Sequence, residues 1–310
     1  MMGRFFRQSI SKREEHALNE DAVKVSELCA AVSDGAGGGG LFADLWAKYL
    51  LENLPEEPMD SFAKFDKWVD GIWERFYNEC EEMAKAQGGL FLKKFYEEGS
   101  FATLAAAWRV GDVWQWMTYG DSVVFCYNRE SGSLRWSDFD LADFAEPPFL
   151  ICSKDPLCEE GFRKGSFSFS QSDVLFVASD ALSCYIMMMY QIFKGEEFKG
   201  SLEKAERQLG KNSNIFRVAL ALDKVDFPSV MSDLLKSAET EDVFCNYVEA
   251  LEQKGLLGHD DYSIAVCFGG EDRVPEKLCK RKVVKTYVAG GKRFSKRLNG
   301  KLYKQILKNL

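Results

Sequence analysis

The order of short apolar segments constrains the fold of this chain most strongly. Four segments between residues 100 and 136 are rich in aromatic and β-branched residues, and turns that contain glycine or serine separate them. Short segments of this composition are typical of antiparallel strands. We therefore predict an antiparallel meander with strands at residues 100–109, 113–119, 123–127 and 133–136.

The rest of the chain alternates between helical and strand-like patterns. Helical spacing of apolar residues predicts helices at 41–50, 62–86, 181–193, 202–209, 230–237 and 243–254. Compact apolar runs predict strands at 22–25, 29–33, 167–169, 174–178 and 262–268, and residues 138–165 are predicted to be a long loop or flap. Because helices and strands come in blocks, the pattern favours an α+β fold over a series of βαβ units.

Composition excludes several classes of protein. The chain has 310 residues, of which 46% are hydrophobic, so it can form a large core and is not a disordered chain. It has no run of about 18 apolar residues and no secretory signal, so we expect a cytoplasmic protein without a membrane segment. Nine scattered cysteines argue against a disulfide framework, and only two histidines leave carboxylates as the expected catalytic groups.

Charge is distributed unevenly along the chain. The formal net charge is −8, yet residues 271–310 contain 13 lysines and arginines and only 3 acidic residues. This asymmetry predicts a body at 1–270 and a basic C-terminal extension at 271–310. The extension could be solvated, or could bind nucleic acid, an acidic partner or the body itself. We favour the solvated or body-bound alternatives and expect no nucleic-acid binding, because the extension has few aromatic residues and no nucleic-acid motif.

Aspartates recur in turns at the ends of the predicted strands. If these strand ends converge, their carboxylates would form an oxygen-rich site for Mg²⁺ or Mn²⁺, since carboxylates that lie together repel one another unless cations separate them. For any one of these residues, a turn or a helix N-cap is the ordinary interpretation. The turns are Asn19-Glu20-Asp21, Ser33-Asp34-Gly35, Gly120-Asp121-Ser122, Ser179-Asp180-Ala181 and His259-Asp260-Asp261.

The glycine-rich stretch at residues 35–40 has a narrower set of interpretations. A phosphate-binding loop would be followed by Lys-Ser or Lys-Thr, whereas Leu41 and Phe42 follow here, so a nucleotide site is excluded. Two alternatives stay open. The stretch is either a tight turn that presents the Gly35 carbonyl beside Asp34 as a second ligand, or a flexible surface turn.

Six motifs in a fixed order carry a family resemblance across residues 5–269. They are Asn19-Glu20-Asp21-Ala22, Ala31-Val32-Ser33-Asp34-Gly35-Ala36-Gly37-Gly38, Gly99-Ser100-Phe101-Ala102-Thr103, Tyr119-Gly120-Asp121-Ser122, Leu175-Phe176-Val177-Ala178-Ser179-Asp180 and Asp260-Asp261-Tyr262-Ser263-Ile264. Together they resemble the PPM-type (type 2C) metal-dependent serine/threonine protein phosphatases in their bacterial-like form. The resemblance implies that residues 1–270 form one phosphatase domain, an α-β-β-α four-layer sandwich of two antiparallel sheets flanked by helices.

The resemblance also implies a function and a set of ligands. It implies hydrolysis of phosphoserine and phosphothreonine in proteins, with a cognate serine/threonine kinase as partner and with two or three Mg²⁺ or Mn²⁺ ions that activate water. Asp34, Asp180 and Asp260 would be the catalytic ligands, with Asp34 between the two ions. The remaining implied ligands are Glu20, Asp21 and the Gly35 carbonyl for one ion, Asp121 for a third ion, and Asp261 as the alternative to Asp260.

Several positions depart from the family pattern. His16 stands where many members have an arginine that grips the substrate phosphate, so His16, Arg13 or Lys12 are the candidates for that role. Ala181 stands where a glycine is usual. These departures motivate an alternative function as a catalytically weak or inactive phosphatase-like binding or regulatory module. His259 could orient a ligand or act as an acid, although an exposed loop histidine is the simpler interpretation.

Overall fold

The computed structural model describes residues 4–12, 18–38, 40–209, 214–270, 284–289 and 292–297. The chain divides into two compact units, Met1–Gly270 and Glu271–Leu310. The assignment of these units as a phosphatase domain and a basic extension stays a prediction.

The first unit contains two five-stranded sheets in which all neighbouring strands are antiparallel. The first sheet has the order β1-β12-β11-β7-β8, the second has the order β10-β6-β5-β3-β2, and β4 and β9 form a small additional pair. The strands are β1 (Phe5–Ile10), β2 (Ala22–Val25), β3 (Cys29–Ser33), β4 (Phe101–Ala102), β5 (Leu104–Val110), β6 (Val113–Tyr119), β7 (Val123–Asn128), β8 (Leu134–Trp136), β9 (Ile151–Cys152), β10 (Phe162–Ser168), β11 (Asp173–Ala178) and β12 (Tyr262–Phe268).

Helices cover the outer face of each sheet. Ser61 caps α2, since its hydroxyl accepts a hydrogen bond from the Lys64 N–H, and Gly88 ends α2 with φ of 110°. Among the described residues, no helix combines the length and the apolar character needed to cross a membrane. The helices are α1 (Ala43–Glu52), α2 (Phe62–Gln87), α3 (Gly89–Glu98), α4 (Asp180–Lys194), α5 (Lys199–Leu209), α6 (Ile215–Leu220), α7 (Phe227–Ser237) and α8 (Glu241–Gln253), with 3-10 turns at Leu141–Ala145, Glu159–Gly161 and Gly195–Phe198.

Successive side chains of a strand point to opposite faces of its sheet, and this alternation separates the layers. In β11, Leu175 and Val177 face the core between the two sheets, whereas Phe176 faces the core beneath α4–α8. In β5, Ala105 faces the core between the sheets, and Ala106 faces the core beneath α1 and α2. Three apolar cores thus separate four layers, and the predicted α-β-β-α sandwich of the α+β class is confirmed.

The predicted meander between residues 100 and 136 is wrong in one respect. The four segments are strands, but β5 and β6 belong to the second sheet whereas β7 and β8 belong to the first. The link Gly120–Ser122 carries the chain from one sheet to the other. Pattern and turn composition predict a strand and its end, but they do not determine which neighbouring edge the next strand joins.

The predicted flap at 138–165 is also partly wrong. It contains β9, and β10 begins inside it at Phe162 and pairs with β6 along its whole length. At Gly165 the indole of Trp116 occupies the space where a Cβ would lie, 2.3 Å from the nearest ring carbon. Gly165 weakens the strand pattern in the sequence, but its missing side chain leaves the space in which the Trp116 indole packs. Elements that the sequence analysis did not predict include β1, α3 and α6.

The second unit contains a β-hairpin that the sequence analysis did not predict. Its strands β13 (Val284–Ala289) and β14 (Lys292–Arg297) are antiparallel, with Val284 opposite Arg297 and Ala289 opposite Lys292. The two residues that separate the strands are both glycine, a sequence typical of tight hairpin turns.

Phe176→Ala tests the packing between the first sheet and its helices. Phe176 is fully buried and its ring stacks on Phe125 with centroids 4.9 Å apart. We expect the substitution to lower the free energy of unfolding by about 3–5 kcal/mol, measured by urea denaturation. Leu90→Ala is the control, since Leu90 is 87% exposed and its loss should change stability by less than about 0.5 kcal/mol. A small effect of Phe176→Ala would contradict the layer assignment.

Candidate metal centre

Strand register brings the predicted site residues of the first sheet to one end of the sandwich. Ala178, the last residue of β11, lies opposite Val123, the first residue of β7, and next to Ile264 near the start of β12. Ile10 at the end of β1 lies opposite Tyr262. The segments that carry Asp121, Asp180 and Asp260 therefore leave the first sheet at the same end.

The second sheet contributes its site residues at the same end. Ser33 at the end of β3 lies opposite Ala22, and Val32 lies opposite Ala105 near the start of β5. Leu104 in turn lies opposite Tyr119, the last residue of β6. Because the short link Gly120–Ser122 joins β6 to β7, these ends of the two sheets are neighbours. The turns that carry Asp21, Asp34 and Asp121 therefore meet those of Asp180 and Asp260.

The carboxyl groups at this end of the sandwich are close enough to shift one another's pKa. Burial raises the pKa of Asp34 well above its usual value, and the charges of Asp21, Asp180, Asp121 and Asp260 raise it further. Burial and the charges of Asp121, Asp260 and Asp21 raise the pKa of Asp180 in the same way. Asp34 and Asp180 are both half-buried, so they lie in a cleft that protein atoms surround on most sides.

Asp21 is the least satisfied carboxyl group of the cluster. Both of its side-chain oxygens are buried and neither has a hydrogen-bond partner within bonding geometry, although the Ser263 and Asp34 side chains lie close by. Burial raises its pKa to about 7, and Asp261 and Asp260 raise it further against the opposing effect of Ser263. A buried carboxylate with open lone pairs is costly unless a cation or a proton accompanies it.

The glycine-rich turn packs tightly against Glu20. A Cβ at Gly37 would lie 1.9 Å from Glu20 Oε1, and a Cβ at Gly35 would lie 2.5 Å from the Glu20 backbone oxygen and 2.8 Å from that of Ala43. Gly35 thus requires glycine because a Cβ there would meet backbone atoms, whereas a side chain at Gly37 would displace the Glu20 carboxyl group. Of the two alternatives, the structure has the tight turn, and it brings Gly35 and Glu20 together beside Asp34.

Thr103 holds the backbone of Asp34 in place through two hydrogen bonds. The Asp34 N–H donates to Thr103 Oγ1 at 3.2 Å, and the Thr103 N–H donates to the Asp34 carbonyl at 2.8 Å. Thr103 Oγ1 also lies 3.1 Å from the Ser122 hydroxyl, next to Asp121. Burial raises the pKa of Asp121 to about 6. Sequence reasoning assigned no role to Thr103. Only its place at the end of the third motif, just before β5, could have pointed to it.

Asp180 is the first residue of α4. The Ala181 N–H donates to Asp180 Oδ1, so the alanine that replaces the usual glycine lies in the first helical turn without displacing the carboxyl group. Ser179, the residue before it, exchanges backbone and side-chain hydrogen bonds with Ser263 on β12. The helix that carries Asp180 is thereby tied to the strand that follows Asp260.

The two adjacent aspartates before β12 have different surroundings. Asp261 is 4% exposed, and its two oxygens accept hydrogen bonds from the Lys12 N–H at 2.7 Å and the Glu20 N–H at 2.6 Å. Asp260 is half-buried and Oδ1 accepts only from the neighbouring Asp261 N–H at 2.8 Å, among the bonds of the described residues. Burial raises the pKa of Asp260. The Asp261 side chain thus holds the backbone of Lys12 and Glu20 in place, while the charge of Asp260 acts on the other carboxyl groups.

Lys12 and His259 are cationic or potentially cationic neighbours of the cluster. Lys12 Nζ lies 4.0 Å from Glu20 Oε2 and opposes the burial that raises the pKa of Glu20. His259 is exposed, as the simpler interpretation predicts, and its Nδ1 lies 3.5 Å from Glu252 Oε1. Arg13 and His16, the predicted phosphate-binding residues, lie outside the described residues.

The donor set fits a hard divalent cation. It consists of carboxylate and carbonyl oxygens, some of them buried without partners, and such ligands match Mg²⁺ and Mn²⁺. In the part of the chain that the structure describes, however, no three histidine, cysteine, aspartate or glutamate side chains are grouped so as to hold one metal ion. The carboxyl groups converge without forming a coordination sphere, and the individual ligand roles stay predictions.

The cluster predicts an unusual pH dependence for the metal-free protein. Asp21 has a pKa of about 7 in the fold and an ordinary value near 3.8 when unfolded, so the folded state binds its proton more tightly and loses stability as the pH rises from about 4 to about 7. We expect stability in EDTA to fall across this range, and Asp21→Asn to raise the free energy of unfolding at pH 8 by roughly 1–3 kcal/mol. Asp70→Asn, on the exposed side of α2, is the matched control and should change little. Destabilisation by Asp21→Asn at pH 8 would contradict this account.

No family model matches the sequence, and no curated protein matches it either. Solved structures do match this chain. The chain is similar to the serine/threonine phosphatase PstP/Ppp of Mycobacterium tuberculosis, with a TM-score of 0.50, 16% identity, and coverage of 87% of this chain and 100% of the other. It is also similar to PppA of Pseudomonas aeruginosa, which is described as a key regulatory component of T6SS, with a TM-score of 0.50, 14% identity, and coverage of 86% and 98%.

At these identities the likeness concerns the fold. It extends over nearly the whole length of both solved chains and over most of the first unit described above. The chain therefore has the fold of the PPM-type bacterial serine/threonine phosphatases, as the sequence resemblance predicts.

Proposed function

We propose that this protein is a Mg²⁺- or Mn²⁺-dependent phosphatase that hydrolyses phosphoserine and phosphothreonine in proteins. The observation that carries the proposal is the convergence of Asp34, Asp180 and Asp260, from both sheets, in one half-buried cleft. There the charges of Asp180 and Asp260 raise the pKa of Asp34, and the charge of Asp260 raises that of Asp180. Such a group of carboxylates is tolerable at neutral pH when divalent cations lie among them. The PPM-type fold and the order of the six motifs support the same function.

The proposed ligand set follows from these surroundings. Asp34 would lie between two ions, with Asp180 and Asp260 on one of them. Asp261 is left out of the set, because its two oxygens already hold the backbone of Lys12 and Glu20. The remaining proposed ligands are Glu20, Asp21 and the Gly35 carbonyl, with Asp121 for a third ion.

The proposed reaction needs no covalent phosphoenzyme. Two divalent ions, when bound, would supply an activated water and neutralise charge on the phosphoryl oxygens. The chain's own contribution is to hold the carboxylates in place and to limit the access of bulk water to the cleft. Burial raises the pKa of Cys184, one turn along α4 from Asp180, to about 12, so this thiol stays protonated and is a poor nucleophile.

The alternative of an inactive binding module rested on His16 and Ala181. Ala181 leaves the Asp180 carboxyl group at the cluster, so this departure gives no support to a loss of activity. Phosphoprotein substrates, a cognate kinase, a cytoplasmic location and the absence of nucleic-acid binding are parts of the proposal that stand on the sequence resemblance and charge pattern.

Activity measurements test the proposal directly. We expect hydrolysis of p-nitrophenyl phosphate and of a phosphothreonine peptide that requires Mn²⁺ or Mg²⁺ and disappears in excess EDTA. Asp34→Asn should lower kcat at least about 100-fold, because it removes a charge that both ions would share. Asp112→Asn, in the β5–β6 turn, is the matched control and should keep full activity. Equal rates with and without EDTA would contradict the proposal.

Asp260 and Asp261 provide a second test. Asp260→Asn should weaken Mn²⁺ binding at least about tenfold, measured by isothermal titration calorimetry, while leaving the urea midpoint unchanged or raised. Asp261→Asn removes one of two backbone acceptors, so it should lower the free energy of unfolding by about 1–3 kcal/mol and change metal affinity less. The reverse ranking of the two affinities would assign the ligand role to Asp261.

A further inference from the structure

A buried tyrosine hydroxyl lies behind the loop that carries Asp260. Tyr262, the first residue of β12, has no exposed surface, and its Oη lies 2.6 Å from Glu252 Oε1 on α8. The same oxygen lies 2.5 Å from the Gly258 carbonyl and accepts a longer contact from the Asp260 N–H at 3.4 Å. One hydroxyl therefore contacts the loop on both sides of His259 and joins it to a helix.

Helix α8 is a firm anchor for this contact. Phe244, Val248 and Leu251 bury its inner face in the core beneath the first sheet. Glu252 follows Leu251 in the last turn and is only 18% exposed. Its carboxylate also lies 3.5 Å from His259 Nδ1. Glu252 thus contacts two side chains that flank Asp260 and Asp261 in the sequence.

The opposite side of the loop is held by Asp261. Its two oxygens accept the backbone N–H groups of Lys12 and Glu20, and its own N–H donates to Asp260 Oδ1. The loop is braced on one side by α8 through Tyr262, and on the other by the segment that leads to β2. Asp260 lies between the two braces, so its carboxylate position depends on both.

We propose that Tyr262 and Glu252 are positioning residues that hold Asp260 in the place where it binds a divalent ion. This inference rests on the proposed function, since it assigns Asp260 as a ligand. Hydrogen bonds behind a ligating carboxylate orient it and contribute to metal affinity, and their loss costs about 10–100-fold in affinity. Tyr262 would act through the loop backbone, and Glu252 would act by fixing the Tyr262 hydroxyl.

Mn²⁺ titration calorimetry of the full chain tests the inference. Tyr262→Phe should weaken Mn²⁺ binding about tenfold, and Glu252→Ala should weaken it to a similar degree. The double variant should bind about as weakly as either single variant, because both changes remove the same contact. Glu252→Gln retains an acceptor for the tyrosine hydroxyl and should stay within about twofold of the wild type.

A matched substitution separates positioning from general destabilisation. Tyr127→Phe removes another tyrosine hydroxyl from the first sheet, on β7, and Tyr127 is 4% exposed. Its Mn²⁺ affinity should equal that of the wild type even where its thermal midpoint falls as far as that of Tyr262→Phe. Equal loss of affinity in both variants would mean that loosening of the fold, rather than positioning, is measured, and would overturn the inference.

The outcomes distinguish this inference from the proposed function. If the wild type binds no Mn²⁺, the proposed function fails and this inference fails with it. If the wild type binds Mn²⁺ and Asp260→Asn weakens binding while Tyr262→Phe does not, the proposed function stands and the positioning role is wrong. Full additivity of Tyr262→Phe and Glu252→Ala would also overturn the shared contact.

Discussion

Mutual repulsion among carboxyl groups in a shared cleft is the constraint on which this structure depends. Burial disfavours the charged form of Asp34 and Asp180, and the surrounding carboxylates disfavour it further. Asp21 shows the same effect, with both side-chain oxygens buried and unpartnered. A fold does not retain such a group for stability, since apolar or amide side chains would be less costly there. Under the proposed function, a divalent cation would bind these oxygens and offset that cost.

The four-layer sandwich is what makes this arrangement possible. The strand ends that carry the aspartates lie at the same end of the sandwich in both sheets. The short link Gly120–Ser122 connects β6 in one sheet to β7 in the other. Alanines such as Ala105 and Ala107 lie between the sheets and leave room for larger side chains opposite them. The backbone contacts of Thr103 and Asp261 then fix the loops beyond the strand ends. Rigid strands therefore position charges that would otherwise move apart.

Much of this could be predicted from the sequence, and the failures have physical causes. Strands β6 and β12 have the predicted bounds, because their flanking turns are unambiguous. Strand β1 was missed because Phe5–Ile10 contains Arg7, Gln8 and Ser9, and its identity as a strand depends on pairing with β12, over 250 residues away. The assignment of strands to sheets, and the separate surroundings of Asp260 and Asp261, likewise depend on contacts between distant segments. Local pattern carries no information on such contacts.

The most direct measurement is a crystal structure of the protein soaked with Mn²⁺, with anomalous difference maps collected for that metal. The account predicts two strong peaks in the cleft, with Asp34 contacting both and Asp180 and Asp260 contacting one of them. It also predicts that the Asp261 oxygens remain bound to the backbone N–H groups of Lys12 and Glu20. Absence of anomalous density between Asp34, Asp180 and Asp260, or Mn²⁺ bound only elsewhere on the protein, would contradict the metal centre and the hydrolytic function derived from it.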